Sequence, residues 1–189
     1  MVRITAGEWR GRRLDVPAGV RPTTELARKA AFDILGDAIR GARVLDACAG
    51  SGAYGLESLS RGAAHATFVE ADRKVTEVLR GNVERLGAQE TARVEGMSVE
   101  RFSSSGEEGS ATAPLAGGAP PAAGFDVIFH DPPFKGISSE SDLSLLLTLV
   151  RPGGWLFHER GDDLVLSPGG VPPADRRRYG LTRFLIYRP

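Results

Sequence analysis

The sequence predicts an α/β protein with a mainly parallel sheet, helices on both faces of it and a reversed strand at its C-terminal edge. Apolar strand-like segments alternate with helix-like segments along the chain, and the last two strand-like segments have the pattern of a hairpin. Three of the expected strands end in an acidic residue, namely Asp46, Glu70 and Asp131. Because ligands of such sheets bind beyond the carboxyl ends of the strands, these acids mark the expected site.

Length and composition suit one domain, or one domain with a small appendage. The 189 residues are 41% hydrophobic and 25% charged. No apolar run approaches the roughly 20 residues that span a bilayer, and the first residues lack an apolar signal segment. Cys48 is the only cysteine, which excludes an internal disulfide and a cysteine metal cluster, and the three histidines lack metal-ligand spacing. We expect a cytoplasmic enzyme or binding protein without a metal centre.

The net charge is zero, but the charges are distributed unevenly along the chain. Residues 1–43 hold nine Lys/Arg and five Asp/Glu, and residues 171–189 hold five Arg and one Asp. Residues 44–170 hold ten Lys/Arg and eighteen Asp/Glu. The basic ends suit binding of a polyanionic partner, and the acidic middle is expected to have a different role. The alternative is that the terminal charges are merely solvated.

Residues 1–20 predict a short β extension that is rich in arginine and contains Trp9. Aromatic rings stack on bases and guanidinium groups pair with phosphates, so this composition favours a nucleic acid as partner. The basic residues of the extension are Arg3, Arg10, Arg12 and Arg13.

A helix is predicted from about Glu25 to Leu35, since Thr24 precedes an acidic first turn. Arg28 and Lys29 are expected to face something polar. The expected apolar side of the helix consists of Leu26, Ala30, Phe32 and Ile34.

The next segment combines features that suit an adenosine-bearing cofactor. A short strand ends in Asp46 and enters the glycine loop (residues 48–52), and a helix is expected over 53–60. Glycines let the backbone approach a ligand, and a helix start offers free N–H groups. Glu70 lies 18 residues after Gly52, a spacing at which an acid typically accepts hydrogen bonds from ribose hydroxyls. The alternative role of Asp46 is to cap the loop.

The remaining elements follow the same alternation of strands and helices. Residues 103–124 are a low-complexity stretch of Ser, Gly, Ala, Pro and Glu, for which we expect a mobile surface loop. The expected helices cover 73–86 and 143–150, and the expected strands cover 66–70, 92–95, 125–130, 155–159, 176–179 and 182–188.

The strand over 125–130 runs into Asp131-Pro132-Pro133-Phe134, a turn that can hold a planar ring carrying an amino group. Prolines lack a backbone donor, so neighbouring carbonyls stay available. The Asp131 carboxylate and the Pro132 carbonyl can accept hydrogen bonds from both N–H groups of an amine, while Phe134 stacks on the ring. The nitrogen lone pair is then aimed at a sulfonium methyl group, and catalysis is mostly positioning. Taken alone, these residues also fit a simple turn at a strand end.

The chain resembles the bacterial 16S rRNA guanine-N2 methyltransferases of the RsmD type. Asp-Pro-Pro-aromatic is shared by many amine methyltransferases, whereas the Arg-Pro-Thr-Thr motif at 21–24 is much narrower and selects this family. The resemblance covers nearly the whole chain apart from residues 103–124. The matching segments are 11–14, 21–35, 44–52, 55–63, 68–70, 125–134 and 179–180, together with Asn82.

The resemblance implies a class I, Rossmann-like methyltransferase fold with a seven-stranded sheet and S-adenosyl-L-methionine as cofactor. It implies methylation of a guanine N2 of the guanine 966 type in 16S rRNA, within the small ribosomal subunit or an assembly intermediate, by a monomer. The implied cofactor contacts are Asp46, Ala49, Gly50, Ser51, Gly52, Glu70, Ala71, Met97 and Ser98. The implied catalytic contacts of the target base are Asp131, Pro132, Pro133 and Phe134. The implied RNA contacts are Arg3, Arg10, Arg12, Arg13, Arg21, Thr23, Thr24 and Arg28.

Two departures from the family pattern concern efficiency more than reaction type. Phe134 stands where the family usually has tyrosine, so a hydroxyl hydrogen bond is lost while stacking is kept. Ser98 stands where the family often has an acid that accepts from the adenine amine, and Met97 beside it can pack on the adenine. Two other functions stay open: methylation of another amine, such as adenine N6 or a protein glutamine, and an RNA-binding assembly factor with decayed catalysis.

Overall fold

The computed structural model describes residues 2–19, 24–104, 124–132 and 140–189. Two short strands at the start of the chain, β1 (Val2–Arg3) and β2 (Arg13–Leu14), pair antiparallel. The strands of the main sheet are β3 (Arg43–Ala47), β4 (His65–Val69), β5 (Ala92–Glu95), β6 (Phe125–His130), β7 (Val150–Arg160), β8 (Asp175–Tyr179) and β9 (Thr182–Tyr187). The helices are α1 (Glu25–Leu35), α2 (Ala53–Ser60), α3 (Arg73–Leu86), α4 (Val99–Ser104) and α5 (Glu140–Leu149), with 3₁₀ turns at Gly36–Ile39 and Pro168–Gly170.

The main sheet has seven strands in the order β5-β4-β3-β6-β7-β9-β8. The pairs from β5 through β7 are parallel, and β9 is antiparallel to both of its neighbours. The predicted mainly parallel sheet with a reversed C-terminal strand is therefore confirmed. The reversed strand lies one position inside the edge, however. The reason is burial: β9 is mostly buried, whereas the arginine-rich β8 is mostly exposed and occupies the edge.

Helices cover both faces of the sheet, as the sequence predicts. One apolar cluster lies under α1, α2 and α3 and includes Phe32, Leu56 and Leu79. The other lies under α4 and α5 and includes Phe102 and Leu143. No helix of the described residues is long and apolar enough to cross a membrane.

The bounds predicted for α1 and α2 agree with the structure, but the predicted apolar face of α1 is partly wrong. Leu26 is 57% exposed, while Arg28 is buried at 1% exposure. The helix turns Ala27, Ala31 and Leu35 inward. Arg28 is also buried, because the buried carboxylate of Glu57 lies 3.8 Å from its guanidinium group.

Three further elements differ from the prediction. The helix α4 was not predicted, and α5 begins at Glu140 instead of residue 143 and ends at Leu149. The strand β7 begins at Val150, five residues before the predicted start, and passes through Pro152 with an irregular register against β6. The low-complexity stretch lies almost wholly outside the described residues, as do Arg21, Thr23, Pro133 and Phe134.

The N-terminal extension is attached to α2 through the fully buried carboxylate of Glu57. Glu57 accepts hydrogen bonds from the backbone N–H groups of Thr5 (2.8 Å) and Ala6 (3.1 Å) and from the Thr5 hydroxyl (2.6 Å). Arg61, one turn along the helix, donates to the same carboxylate at 2.9 Å. Glu57 is therefore a helix residue whose partners are structural.

Candidate active site

The glycine loop leaves β3 in a left-handed backbone conformation. Cys48, Gly50 and Gly52 have φ values of 65°, 55° and 80°, and Cys48 is the only non-glycine with a positive φ among the residues that the structure describes. Such a conformation is strained for a residue with a Cβ. The loop is therefore held by its surroundings: the Glu70 carboxylate accepts from Gly50, the Val69 carbonyl accepts from Ala49, and Asn82 donates to the Ser51 carbonyl.

Asp46 is a buried anchor for the start of α2. Its Oδ2 accepts a hydrogen bond from the Gly55 N–H at 2.8 Å, within the helix that follows the loop. Burial raises the pKa of Asp46 to about 8, although the Gly55 N–H opposes the shift, so the group is mainly protonated at neutral pH. This geometry supports the alternative that Asp46 caps the loop, and its contact with a cofactor stays a prediction.

Glu70 lies directly against the glycine loop. One carboxylate oxygen accepts from the Gly50 N–H at 2.9 Å, and the other accepts from the Asp72 N–H at 2.9 Å. The predicted spacing between the loop and the acid thus brings the two into contact. Ala71, between the two acids, is exposed beside them.

Asp131 lies at the same edge, because β6 and β3 are parallel neighbours in which Ala47 pairs with His130. Asp131 is the next residue after His130, and its charge contributes to raising the pKa of Asp46 and of the Cys48 thiol. The structure therefore brings the three strand-end acids together around the glycine loop. Asp131 and Pro132 are partly exposed.

Cys48 is a poor candidate for a nucleophile. Burial, followed by the negative charges of Glu70 and Asp131, raises the pKa of its thiol to about 12. A thiol must lose its proton to react, so Cys48 stays in the unreactive form at physiological pH. Its side chain packs against the apolar cluster under α5 instead.

Met97 and Ser98 follow β5, the strand at the edge of the sheet beyond β4. The Ser98 hydroxyl accepts from the Arg101 N–H at 3.3 Å, so it caps the unpredicted helix α4. Met97 is partly buried and packs against the cluster on that face. Both residues lie next to the end of a strand whose neighbour carries Glu70, and their contact with an adenine stays a prediction.

His130 and His158 form a buried stacked pair beneath Asp131. Their ring centroids are 4.9 Å apart, and neither ring has a hydrogen-bonded nitrogen within the described part of the chain. Burial lowers the pKa of His158 to about 4 and lowers the pKa of His130 well below its ordinary value. Both rings are therefore neutral at pH 7, and they support the end of β6 as packing groups.

Two buried polar residues beside the site were missed by the sequence reasoning. The Tyr54 hydroxyl donates to Glu159 at 2.9 Å, and the Tyr54 ring stacks on Phe129 with a centroid distance of 4.5 Å. The other Glu159 oxygen accepts from the Thr182 hydroxyl at 3.1 Å. A signal was present, since Glu159 is an acid near the end of a predicted strand, as are Asp46, Glu70 and Asp131.

The four arginines of the N-terminal extension are all exposed. Arg3 and Arg13 are direct partners across the β1–β2 pair, a placement of like charges that is unfavourable unless an anion lies between or beside them. Trp9, which was expected among these side chains, is partly buried and packs against the core.

The expectation that Arg28 meets RNA is wrong for the described structure. Its buried side chain donates to the Arg3 carbonyl at 2.6 Å and lies 3.8 Å from the Glu57 carboxylate. Burial lowers the pKa of Arg28, while Glu57 opposes the shift. Thr24 caps α1 by accepting from the Ala27 N–H at 3.2 Å, and an RNA contact at Thr24 stays a prediction.

A sheet of this strand order, with a glycine loop after its first parallel strand and acids at three neighbouring carboxyl ends, defines a class I methyltransferase fold. The family model described as "Conserved hypothetical protein 95" matches residues 2–188. The chain belongs to this family, the RsmD-type rRNA methyltransferases.

Individual relatives agree with this assignment. The chain is 40% identical to Ribosomal RNA small subunit methyltransferase D of Escherichia coli over 84% of this chain and 71% of the relative. It is 33% identical to the Putative rRNA methyltransferase YlbH of Bacillus subtilis over 99% and 98% of the two chains. A solved hypothetical protein of Thermus thermophilus superposes with a TM-score of 0.82 at 34% identity, with 100% of both chains covered.

Proposed function

We propose that this chain transfers a methyl group from S-adenosyl-L-methionine to the exocyclic N2 amine of a guanine in 16S rRNA of the small ribosomal subunit, of the guanine 966 type. The observation that carries the proposal is the position of Asp131, which lies beside the glycine loop at the carboxyl end of β6. Similarity to Ribosomal RNA small subunit methyltransferase D supports the choice of substrate.

The chemistry of the edge fits the proposed cofactor. Carboxylate oxygens at Glu70 and Asp131 can accept hydrogen bonds, and both groups add negative charge beside the loop. Burial is the main cause of the raised pKa values of Asp46 and Cys48, and the charges of Glu70 and Asp131 add to it. A negative field favours a cationic sulfonium compound with hydroxyl and ammonium donors. The bound cofactor supplies an electrophilic methyl group. Residues 49–52, Glu70, Ala71, Met97 and Ser98 would hold it.

The proposed role of Asp131 is to prepare a weakly nucleophilic amine. The lone pair of a nucleobase amine is delocalised into the ring. When the Asp131 carboxylate and the Pro132 carbonyl accept hydrogen bonds from the two N–H groups, the nitrogen becomes more tetrahedral and its lone pair is aimed. Nitrogen then forms the new bond to the methyl carbon as the carbon–sulfur bond breaks, and Asp131 can accept the released proton. Rate enhancement from such positioning is large.

The proposed RNA contact of the extension rests on its exposed arginines. Arg3 and Arg13 face each other across two strands, and Arg10 and Arg12 are exposed in the connection between them. Guanidinium groups pair with phosphates in two-pronged geometry. The extension is fixed to α2 through Glu57, so an RNA held there is held at a defined position relative to the glycine loop.

The test is transfer of a labelled methyl group to small subunits that lack the modification, followed by nucleoside analysis. We expect label at a guanine N2. Asp131→Ala should abolish transfer and leave the affinity for S-adenosylhomocysteine largely unchanged, while the exposed Asp33→Ala should retain both. Equal loss of transfer and cofactor affinity in Asp131→Ala would place Asp131 in the cofactor site instead.

Other outcomes would support one of the two alternative functions that the sequence leaves open. Label at adenine N6 or at a protein glutamine would assign a different amine to the same turn. Failure to bind S-adenosylhomocysteine, combined with binding to the rRNA, would identify an assembly factor with decayed catalysis.

A further inference from the structure

The turn between β8 and β9 lies at the same edge of the sheet as the candidate active site. His130 at the end of β6 pairs with His158, and two residues later Arg160 pairs with Arg183 of β9. Arg183 in turn pairs with Arg178 of β8, so the hairpin turn extends beyond the carboxyl end of β7. Since neighbouring strands are about 4.8 Å apart, the three-strand step from β6 to β8 places the turn roughly 14 Å to one side of Asp131.

The arginines of this region fall into two groups. Arg160, Arg177 and Arg183 are each paired with an aspartate of the same region: Asp162, Asp175 and Asp163, respectively. Their charge is largely compensated.

Arg176 and Arg178 differ from that group. Both are exposed, and neither forms an ion pair within 4 Å among the residues that the structure describes. The charge of Arg178 does reach Asp163: after the hydrogen bond from Arg183, it contributes to lowering the pKa of that carboxyl. The Arg178 side chain donates a long hydrogen bond, of 3.3 Å, to the Gly180 carbonyl. Because residues two apart on a strand point to the same face, Arg176 and Arg178 present two guanidinium groups side by side. The region as a whole has five arginines and three aspartates, so a net positive charge of two remains, and Arg176 and Arg178 are its exposed arginines without an aspartate within ion-pair distance.

The tip of the hairpin adds an apolar side chain. Leu181 is 81% exposed, directly after Gly180 with its positive φ of 61°. A charged edge strand also protects a sheet from pairing with another strand, which explains arginine on β8 in general terms. That explanation does not account for an exposed leucine at the tip beside uncompensated charge.

The hairpin is positioned by buried contacts and is therefore suited to hold a partner in register. Thr182 at its base donates to the buried Glu159, which also accepts from Tyr54 of α2. Phe184 of β9 lies in the core cluster and makes an edge contact with Tyr179 at a centroid distance of 6.2 Å. The tip is thus connected to the helix that follows the glycine loop.

We infer that Arg176, Arg178 and Leu181 form a second RNA contact, the hairpin surface, on the side of the active site away from α3. It rests on the proposed function for the identity of the RNA. The two arginines bind backbone phosphates, and Leu181 packs on a sugar or an unstacked base next to the target nucleotide. The uncompensated charge, its position at the catalytic edge and the fixed base of the hairpin point to a polyanion as the occupant.

The experiment measures binding of 16S rRNA by the full chain over a series of salt concentrations. Arg176→Ala with Arg178→Ala should weaken binding about tenfold near 0.1 M salt and reduce the slope of log affinity against log salt by about 1.5, since each lost phosphate contact removes roughly 0.7 to 0.9. The matched control is Arg40→Ala with Arg80→Ala, two exposed arginines away from the carboxyl edge, which should change neither quantity. Arg176→Lys with Arg178→Lys should restore most of the slope.

Leu181→Ser tests the apolar part of the surface separately. We expect weaker binding to the rRNA with an unchanged salt slope, because no phosphate contact is removed. If Leu181→Ser weakens binding to the assembled subunit but not to the rRNA alone, Leu181 contacts a ribosomal protein and its assignment is overturned.

The outcomes separate this inference from the proposed function. An unchanged affinity and slope in the Arg176/Arg178 variant, with methyl transfer to guanine intact in the parent chain, would overturn the hairpin surface alone. A parent chain that transfers no methyl group to guanine but loses RNA affinity in the variant would overturn the proposed function and leave the hairpin surface in place. Binding of S-adenosylhomocysteine should be equal in all variants and reports correct folding.

Discussion

The side-chain amide of Asn82 donates to the carbonyl oxygen of Ser51 at 3.0 Å, which joins the middle of α3 to the glycine loop. The same amide group exchanges two hydrogen bonds with the backbone of Asp15, each 2.9 Å long. Asn82 is fully buried, so water does not replace these partners. One side chain therefore connects the loop, the helix and the N-terminal extension.

Removal of this connection should lower both stability and cofactor affinity. We expect Asn82→Ala to reduce the free energy of unfolding by about 2–4 kcal/mol, because the buried Ser51 carbonyl and the part-buried backbone groups of Asp15 lose their partner. Denaturant unfolding measures the first effect, and calorimetry with S-adenosylhomocysteine measures the second. Glu84→Ala, at an exposed position of the same helix, is the control. Full cofactor affinity in a folded Asn82→Ala chain would show that the loop keeps its shape without this hydrogen bond.

Glu70 should contribute to cofactor affinity through the shape of the loop as well as through any direct contact. Glu70→Ala removes the acceptor of the Gly50 and Asp72 N–H groups. Hydrogen bonds to charged groups contribute about 1.5–3 kcal/mol each, so affinity for S-adenosylhomocysteine should fall at least tenfold. The exposed Glu77→Ala on α3 is expected to bind normally. Equal affinity of Glu70→Ala and Glu77→Ala for S-adenosylhomocysteine in the calorimetric titration would contradict a role for Glu70 in cofactor binding.

Two helical glycines provide a matched test of packing. A Cβ on Gly55 would lie 2.2 Å from a ring carbon of the buried Phe68, whereas a Cβ on Gly81 would meet no atom within 4 Å. Alanine favours a helix over glycine by about 0.8–1.0 kcal/mol. Gly81→Ala should therefore raise the melting temperature. Gly55→Ala should lower it, because the phenyl ring must move, and a gain in both variants would show that Phe68 relocates without cost.

The buried histidines should make the protein sensitive to acid. The pKa of His158 falls to about 4 in the folded chain, while an unfolded histidine titrates near 6.5. Between those values His158 binds a proton in the unfolded chain but not in the folded one, so its own contribution lowers stability as pH falls from about 6.5 to 4, by at most about 1.4 kcal/mol per pH unit. In His158→Phe the plot of unfolding free energy against pH should be flatter in this window. A parallel plot would mean that His158 does not contribute.

The sequence predicts the elements that depend on local signals. The helix α1 has its predicted bounds, because Thr24 accepts from the Ala27 N–H as an N-cap does. The acids at strand ends are predictable in the same way, since apolar runs that end in a carboxylate are visible without knowledge of the fold.

Features that depend on distant partners were not predictable. The charge of Arg28 predicts a polar face, but Glu57, 29 residues later, lies beside it in the interior. The missed α4 is only six residues long, and its cap at Ser98 resembles a ligand contact in the sequence. In both cases a polar side chain has a structural partner within the protein. The spacing of apolar residues does not predict such polar contacts.

The buried carboxylate of Glu57 has a consequence for the boundaries of the folding unit. If the first residues were cut away, the Thr5 and Ala6 donors would leave with them, and Glu57 would keep only arginines as partners in the interior. A buried acid that loses its donors is costly. The arginine-rich extension is therefore part of the same folding unit as the sheet. We expect both to unfold together, in one cooperative transition.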